Sequence, residues 1–160
     1  MKIRTGDIYR EQIPRYTLAK KIVSKKILDI TYGKYMDYFK SELFLDNEAT
    51  EIWSLDLLDN EQYLTLRQLN DKKKIQFQIK NKNELKTKKF DLILGFNVLS
   101  IINEQDKLLN NISELLSTEG TVIISVITKN LSKNSSNNNF QDLNFFTKNE
   151  LDKNLKKYFN

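Results

Sequence analysis

The stretch Lys26-Ile27-Leu28-Asp29-Ile30-Thr31-Tyr32-Gly33-Lys34-Tyr35 decides how the rest of the chain is read. A short apolar run ends in an acid and enters a turn ahead of an amphipathic segment. In an open α/β sheet, that junction is where nucleotide-like ligands bind. This turn holds one glycine, Gly33, where such loops commonly hold two or three.

Four further apolar runs of strand length follow. They are Glu51–Leu55, ending at Asp56, then Lys74–Ile79, Phe90–Leu94 and Thr121–Ile127. Lys74–Ile79 alternates with period two, as a half-buried strand does. Phe90–Leu94 is nearly continuous in apolar residues, which suits a central parallel strand. Thr121–Ile127 is rich in β-branched residues.

Helical patterns fill the intervals. Leu108, Leu109, Ile112, Leu115 and Leu116 share one face at helical spacing. Glu119-Gly120 supplies the stop before the fifth strand. Met36 to Phe44 is read as the first crossover helix and Asn60 to Leu69 as the second. A lead-in helix begins near Pro14, a residue tolerated in a first turn, and carries Ile13, Tyr16, Ala19, Ile22 and Val23. Thr147-Lys148-Asn149-Glu150 fits a capping box ahead of a last helix with Leu151, Leu155 and Phe159 on one stripe.

The pattern predicts a Rossmann-like, doubly wound, mainly parallel five-stranded sheet with helices on both faces. One domain over residues 1–160 is expected, with a helical lead-in over 1–24 and a flexible polar loop over 129–139. Ligands in such sheets bind at the C-terminal strand ends near the point where strand order reverses. That directs attention to Asp29–Tyr35, Asp56, Asn81 and Phe96–Ser100. Tyr9, Arg15 and Tyr16 are read as core or surface residues, with closure over the ligand end as the alternative.

The 160 residues include no histidine and no cysteine. Disulfides, thiol nucleophiles, Cys/His zinc sites and Ser-His-Asp triads are thereby excluded from this sequence. A general base would have to be Asp, Glu, Lys or Tyr. No metal site is expected and no catalytic residue is singled out. The net charge is +5 and the pI about 9.2, short of a strong nucleic-acid footprint. Lys72-Lys73-Lys74 and Lys86-Thr87-Lys88-Lys89 precede apolar runs and are read as solvated loop charges, with a phosphate patch as the alternative. No run is long enough to span a bilayer and the first residues lack a signal-peptide block. A cytoplasmic protein without membrane contact is the expectation.

The order and spacing resemble the class I S-adenosylmethionine-dependent methyltransferases, most of all the small-molecule group labelled type 11. Phe90-Asp91-Leu92-Ile93-Leu94-Gly95-Phe96-Asn97-Val98-Leu99 and Leu116-Ser117-Thr118-Glu119-Gly120-Thr121-Val122-Ile123-Ile124-Ser125 carry the likeness best. The family shows there an F-D-x-(I/V) strand, an aromatic-plus-leucine segment, a helix, and an L-x-P-G-G turn into the next strand. The resemblance implies S-adenosylmethionine as cofactor and Asp29, Thr31, Gly33, Asp56, Leu57, Asn81 and Phe96 as its binding residues.

Matched one by one, the motifs are mixed. Asp29 keeps the acid ahead of the family's G-x-G-x-G, while Thr31, Gly33 and Tyr35 occupy its three glycine positions. Asp56 matches the acid that accepts both ribose hydroxyls, a task its two oxygens suit, with a helix cap or loop acid as the alternative. Asn81 stands where an acid often faces the adenine amine, with a plain turn residue as the alternative. Asn97, Ser100 and Ile101 stand where the family often shows an acid and a histidine.

The family's last two strands are not found in the sequence, so the fifth strand is expected to be covered by a partner, by the tail or by a second copy. Two functions follow from the resemblance. One is methyl transfer to a small-molecule acceptor. The other is an inactive pseudo-methyltransferase acting as a binding or interaction module. An RNA-associated role rests on the basic pI alone.

Overall fold

The computed structural model describes residues 13–22, 24–31, 48–57, 64–69, 75–80, 82–128 and 143–159. Residues 13–19 form helix α1. Strands β1 (Lys26–Thr31), β2 (Glu51–Asp56), β3 (Leu64–Leu69) and β4 (Ile75–Lys80) follow. A 3-10 helix over Lys82–Thr87 leads into β5 (Phe90–Phe96), then α2 (Val98–Ile101), α3 (Gln105–Leu115), β6 (Leu116–Ser125) and α4 (Lys148–Leu155). Among the described residues no helix is long and apolar enough to cross a membrane. The expected helix over Met36 to Phe44 and the polar loop over 129–139 lie outside the described residues.

One sheet has the order β4-β3-β2-β1-β5-β6. β1 pairs in parallel with β2 on one side and β5 on the other, and β5 pairs in parallel with β6. The doubly wound, mainly parallel reading therefore holds, but among the described residues the sheet has six strands rather than five. The added strand is β3, in the stretch read as the second crossover helix. It pairs antiparallel with β2, Trp53 opposite Leu66, and with β4, Leu66 opposite Gln78. The physical reason is that β2 presents unpaired backbone groups along its outer edge. A segment that satisfies them gains a full ladder, which outweighs the modest helical preference of leucines. β4 then joins as the second arm of a hairpin, not as a parallel strand.

β1 is buried on both faces, and its alternation divides the core. Leu28 and Ile30 face a cluster with Trp53, Phe90 and Ile93, covered by Leu85, by Val98 and Leu99 of α2, and by Leu108, Leu109 and Ile112 of α3. Leu151 and Leu155 of α4 pack on the same side. Ile27 faces the other cluster, with Ile52, Leu92, Leu94 and Phe96 under Tyr16 and Ala19 of α1. Each buried Leu or Ile contributes about 1.5–3 kcal/mol relative to exposure.

Local chemistry explains several sequence features. The β5–β6 register breaks: Phe90 pairs with Leu116 and Leu92 with Thr121, so Ser117–Gly120 bulge out. Across this break Phe90 and Ile93 both reach the α3 face, whereas Leu92 and Leu94 reach the α1 face. Gly120 sits inside the bulge, where a Cβ would lie 2.9 Å from the Phe90 carbonyl oxygen and 2.8 Å from Leu116 Cδ1. Asp91, a charge within an apolar strand, accepts the backbone N–H groups of Lys25 and Lys26 at 3.1 and 3.0 Å. Lys89 donates to the Glu114 carbonyl at the end of α3, where a cation also meets the negative end of the helix dipole. Lys88 lies over the Trp53 ring, 5.6 Å from its centroid. These two lysines thus have structural partners.

The capping box forms as read. Thr147 Oγ1 accepts from the Glu150 amide and Glu150 Oε2 accepts from the Thr147 amide. α4 is tied to α3 by the Tyr158 hydroxyl, which donates to Asp106 Oδ1 at 2.8 Å. That hydrogen bond, followed by desolvation and the carboxylate's charge, holds the phenol above its ordinary value of 10.0. A raised folded value means the tie contributes at any pH below the ordinary value and is lost as pH rises through the folded one.

Two outcomes are expected. Gly120→Ala should lower stability by about 1–3 kcal/mol, because its methyl group meets backbone, as measured by urea unfolding. Tyr158→Phe should remove a step in the unfolding midpoint seen above about pH 10. An unchanged alkaline profile would show that the tie carries no stability.

Candidate functional site

The C-terminal ends of β1, β2, β5 and β6 lie side by side, and strand order reverses at β1. The chain leaves β1 toward β2 on one side and later returns as β5 on the other. In doubly wound sheets ligands bind at the C-terminal strand ends beside such a reversal. The registers Thr31↔Asp56 and Ile30↔Gly95 set which residues border it.

Asp29 is 1% exposed and lies two residues past Ile27, so its side chain falls on the α1 face. There the Tyr16 hydroxyl donates to Asp29 Oδ2 at 2.8 Å. A buried carboxylate needs such donors, because desolvation strongly penalises its charge. Tyr16 itself is 1% exposed. Its ring meets Phe96 edge to face, with centroids 5.0 Å apart. Ser54 is opposite Asp29 in the ladder and is also buried. Asp56, two residues on, is 7% exposed at the last position of β2. Asp29, Asp56 and Phe96 are thus gathered at three adjacent strand ends.

The other expected residues divide. Thr31 ends β1, and its backbone pairs beside Asp56. Leu57 is half-buried and packs against the core on the α3 face. Gly33, Asn81 and Tyr35 lie outside the described residues, as does Tyr9.

Asn97 and Ser100 act as fasteners. Asn97 adopts the left-handed conformation, with φ 62°, which asparagine tolerates better than most residues. Its amide donates to the Ser125 carbonyl at 2.9 Å, and Ser125 Oγ donates to Asn97 Oδ1 at 3.2 Å. Ser100 is completely buried. Its Oγ accepts the Ile127 amide at 2.8 Å, and its carbonyl accepts the Asn144 amide at 2.7 Å. Asn144 also donates to the Ile102 carbonyl at 3.0 Å. The Phe146 amide then donates to the Ile127 carbonyl, and Thr128 and Phe146 form a parallel bridge. The segment beyond β6 is thereby strapped onto α2 and the end of β6.

Two of these residues carry no signal in the sequence: Asn144 stands in no pattern, and Ser125 is one of several polar residues in β6. Tyr16 is read there as a core or surface residue, with closure over the ligand end as the alternative, and the structure places it in the core. Each acts through contacts distant in sequence. Among the described residues no cluster of acids suits a metal ion.

Comparison with known proteins adds one finding. A family model described as a methyltransferase domain matches residues 6–158. No curated protein matches the chain.

Ser100→Ala is expected to cost about 1–3 kcal/mol by leaving the Ile127 amide without its acceptor. Faster hydrogen exchange at Ile127 and a lowered unfolding midpoint would show it; unchanged exchange there would count against the strap.

Proposed function

The chain belongs to the class I S-adenosylmethionine-dependent methyltransferase domain family, and from that premise we propose that it binds S-adenosylmethionine at the C-terminal strand ends and transfers its methyl group to a small-molecule acceptor. The observation that carries this reading is the placement of Asp56. Its carboxylate ends β2 next to the end of β1, at the reversal of strand order. Its two oxygens accept both hydroxyls of a vicinal diol, which matches the ribose of the cofactor.

The side chains present fit that group in part. Asp56 would hold the ribose and Phe96 would supply an apolar wall. Asp29 carries a hydrogen bond from Tyr16 and supports the strand end from which the following loop departs. The cofactor brings an activated sulfonium methyl, so what the chain must add is chiefly alignment of an acceptor.

A second reading is favoured by the fasteners after β5. Asn97 and Ser100, where the family often has an acid and a histidine, are committed to hydrogen bonds with the Ser125 hydroxyl and the Ile127 amide. Thr31 and Tyr35 also replace glycines. These features suit a non-catalytic module that keeps the fold and acts by binding.

Calorimetry with S-adenosylmethionine tests both. Binding is expected, and Asp56→Ala should weaken it by about tenfold or more, as loss of a charge-assisted pair of hydrogen bonds implies. No heat at millimolar ligand with folded protein would overturn the first reading in favour of the second.

A further inference from the structure

We propose that Tyr16 is a positioning residue of the cofactor site, so that α1 is a working part of that site and not only a cover for the sheet. The proposal rests on the cofactor reading above. Tyr16 holds two of the residues gathered there. Its hydroxyl donates to Asp29 Oδ2 at 2.8 Å, on β1. Its ring and that of Phe96, the last residue of β5, pack nearly perpendicular with centroids 5.0 Å apart. Both strand ends flank the reversal point.

The chemistry gives this bridge its consequence. Asp29 stands two residues before the end of β1 and is buried with Ser54 opposite it. A carboxylate so placed keeps one orientation only while its donors remain. Loss of the hydroxyl would remove the contact that orients Oδ2, and the backbone from Ile30 onward would be held less firmly. Phe96 is held through the same ring, so the two strand ends move together. Tyr16 and Ala19 are buried in the same cluster, whereas Leu18 on the outer side of α1 is 59% exposed. The buried side of α1 is therefore the side that reaches the strand ends.

Tyr16→Phe keeps the ring on Phe96 and removes only the hydroxyl. Three other proteins serve as references: the unchanged chain, Leu18→Ala on the outer side of α1, and Ile112→Val in the core of the opposite face. The last is a stability reference, since it removes one buried methyl group. S-adenosylmethionine affinity by calorimetry and hydrogen exchange over residues 26–31 are measured for each at a temperature where all are folded. Tyr16→Phe should weaken affinity by about tenfold, as loss of a hydrogen bond to a charged group implies, and should speed exchange at Ile30 and Thr31. Ile112→Val and Leu18→Ala should leave both unchanged. A purely structural role would show the same affinity loss in Ile112→Val as in Tyr16→Phe, and that result would overturn the proposal. Equal affinity and equal exchange in Tyr16→Phe would also overturn it. If the unchanged chain binds no cofactor, the cofactor reading fails. Exchange then decides alone: faster exchange at Ile30 and Thr31 upholds positioning of the strand end by Tyr16, and unchanged exchange refutes it.

Discussion

A carboxylate in the middle of a strand covered on both faces imposes the strongest local constraint on this protein. Asp29 belongs to β1, which is buried among hydrophobic neighbours on each side of the sheet. Burial of that charge is tolerable only with hydrogen-bond donors in place. Tyr16 supplies one from α1. The same contact fixes where α1 docks, and through the ring it fixes Phe96 at the neighbouring strand end. An apolar residue in place of Asp29 would ease burial, but it would remove the tie between helix and strand end.

The remaining strand ends are organised by less costly devices. Asp91 anchors the start of β1 through two backbone amides. At the opposite end, Asn97, Ser125, Ser100 and Asn144 bind the turn after β5 to the chain beyond β6. Polar side chains here substitute for ladder hydrogen bonds that the sheet cannot provide past its last register pair. The arrangement leaves Asp56 at the last position of β2, beside the end of β1.

Legibility varied with the range of the interaction. The capping box at Thr147 and Glu150 depends on residues three apart, and it formed as its spacing indicated. Strands β1, β2, β4, β5 and β6 were visible because apolar runs of that length have few other uses. β3 was misread because Leu64, Leu66 and Leu69 satisfy either period loosely, and the edge of β2 settled the matter. The start of β6 was also misplaced: Leu116 already pairs with Phe90, and the Glu119-Gly120 stop lies in a bulge within the strand. Lys89 has the sequence signature of a solvated loop charge, but its partner, the Glu114 carbonyl at the end of α3, is 25 residues away in the chain.

The sequence by itself determined most of the alternation of strands and helices, the family, and the placement of Asp29 within the first strand and of Asp56 at the end of the second. Those features follow from periodicity and from motif spacing along one segment at a time. Only the tertiary structure decided that β3 and β4 form a hairpin, that Ser100 and Asn97 serve as fasteners, and that Tyr16 grips Asp29. These depend on partners far apart in the chain, Tyr16 with Asp29 and Phe96, Ser100 with Ile127. A hydrogen bond or an aromatic edge contact is set by distance and direction in space, and no local pattern carries that information.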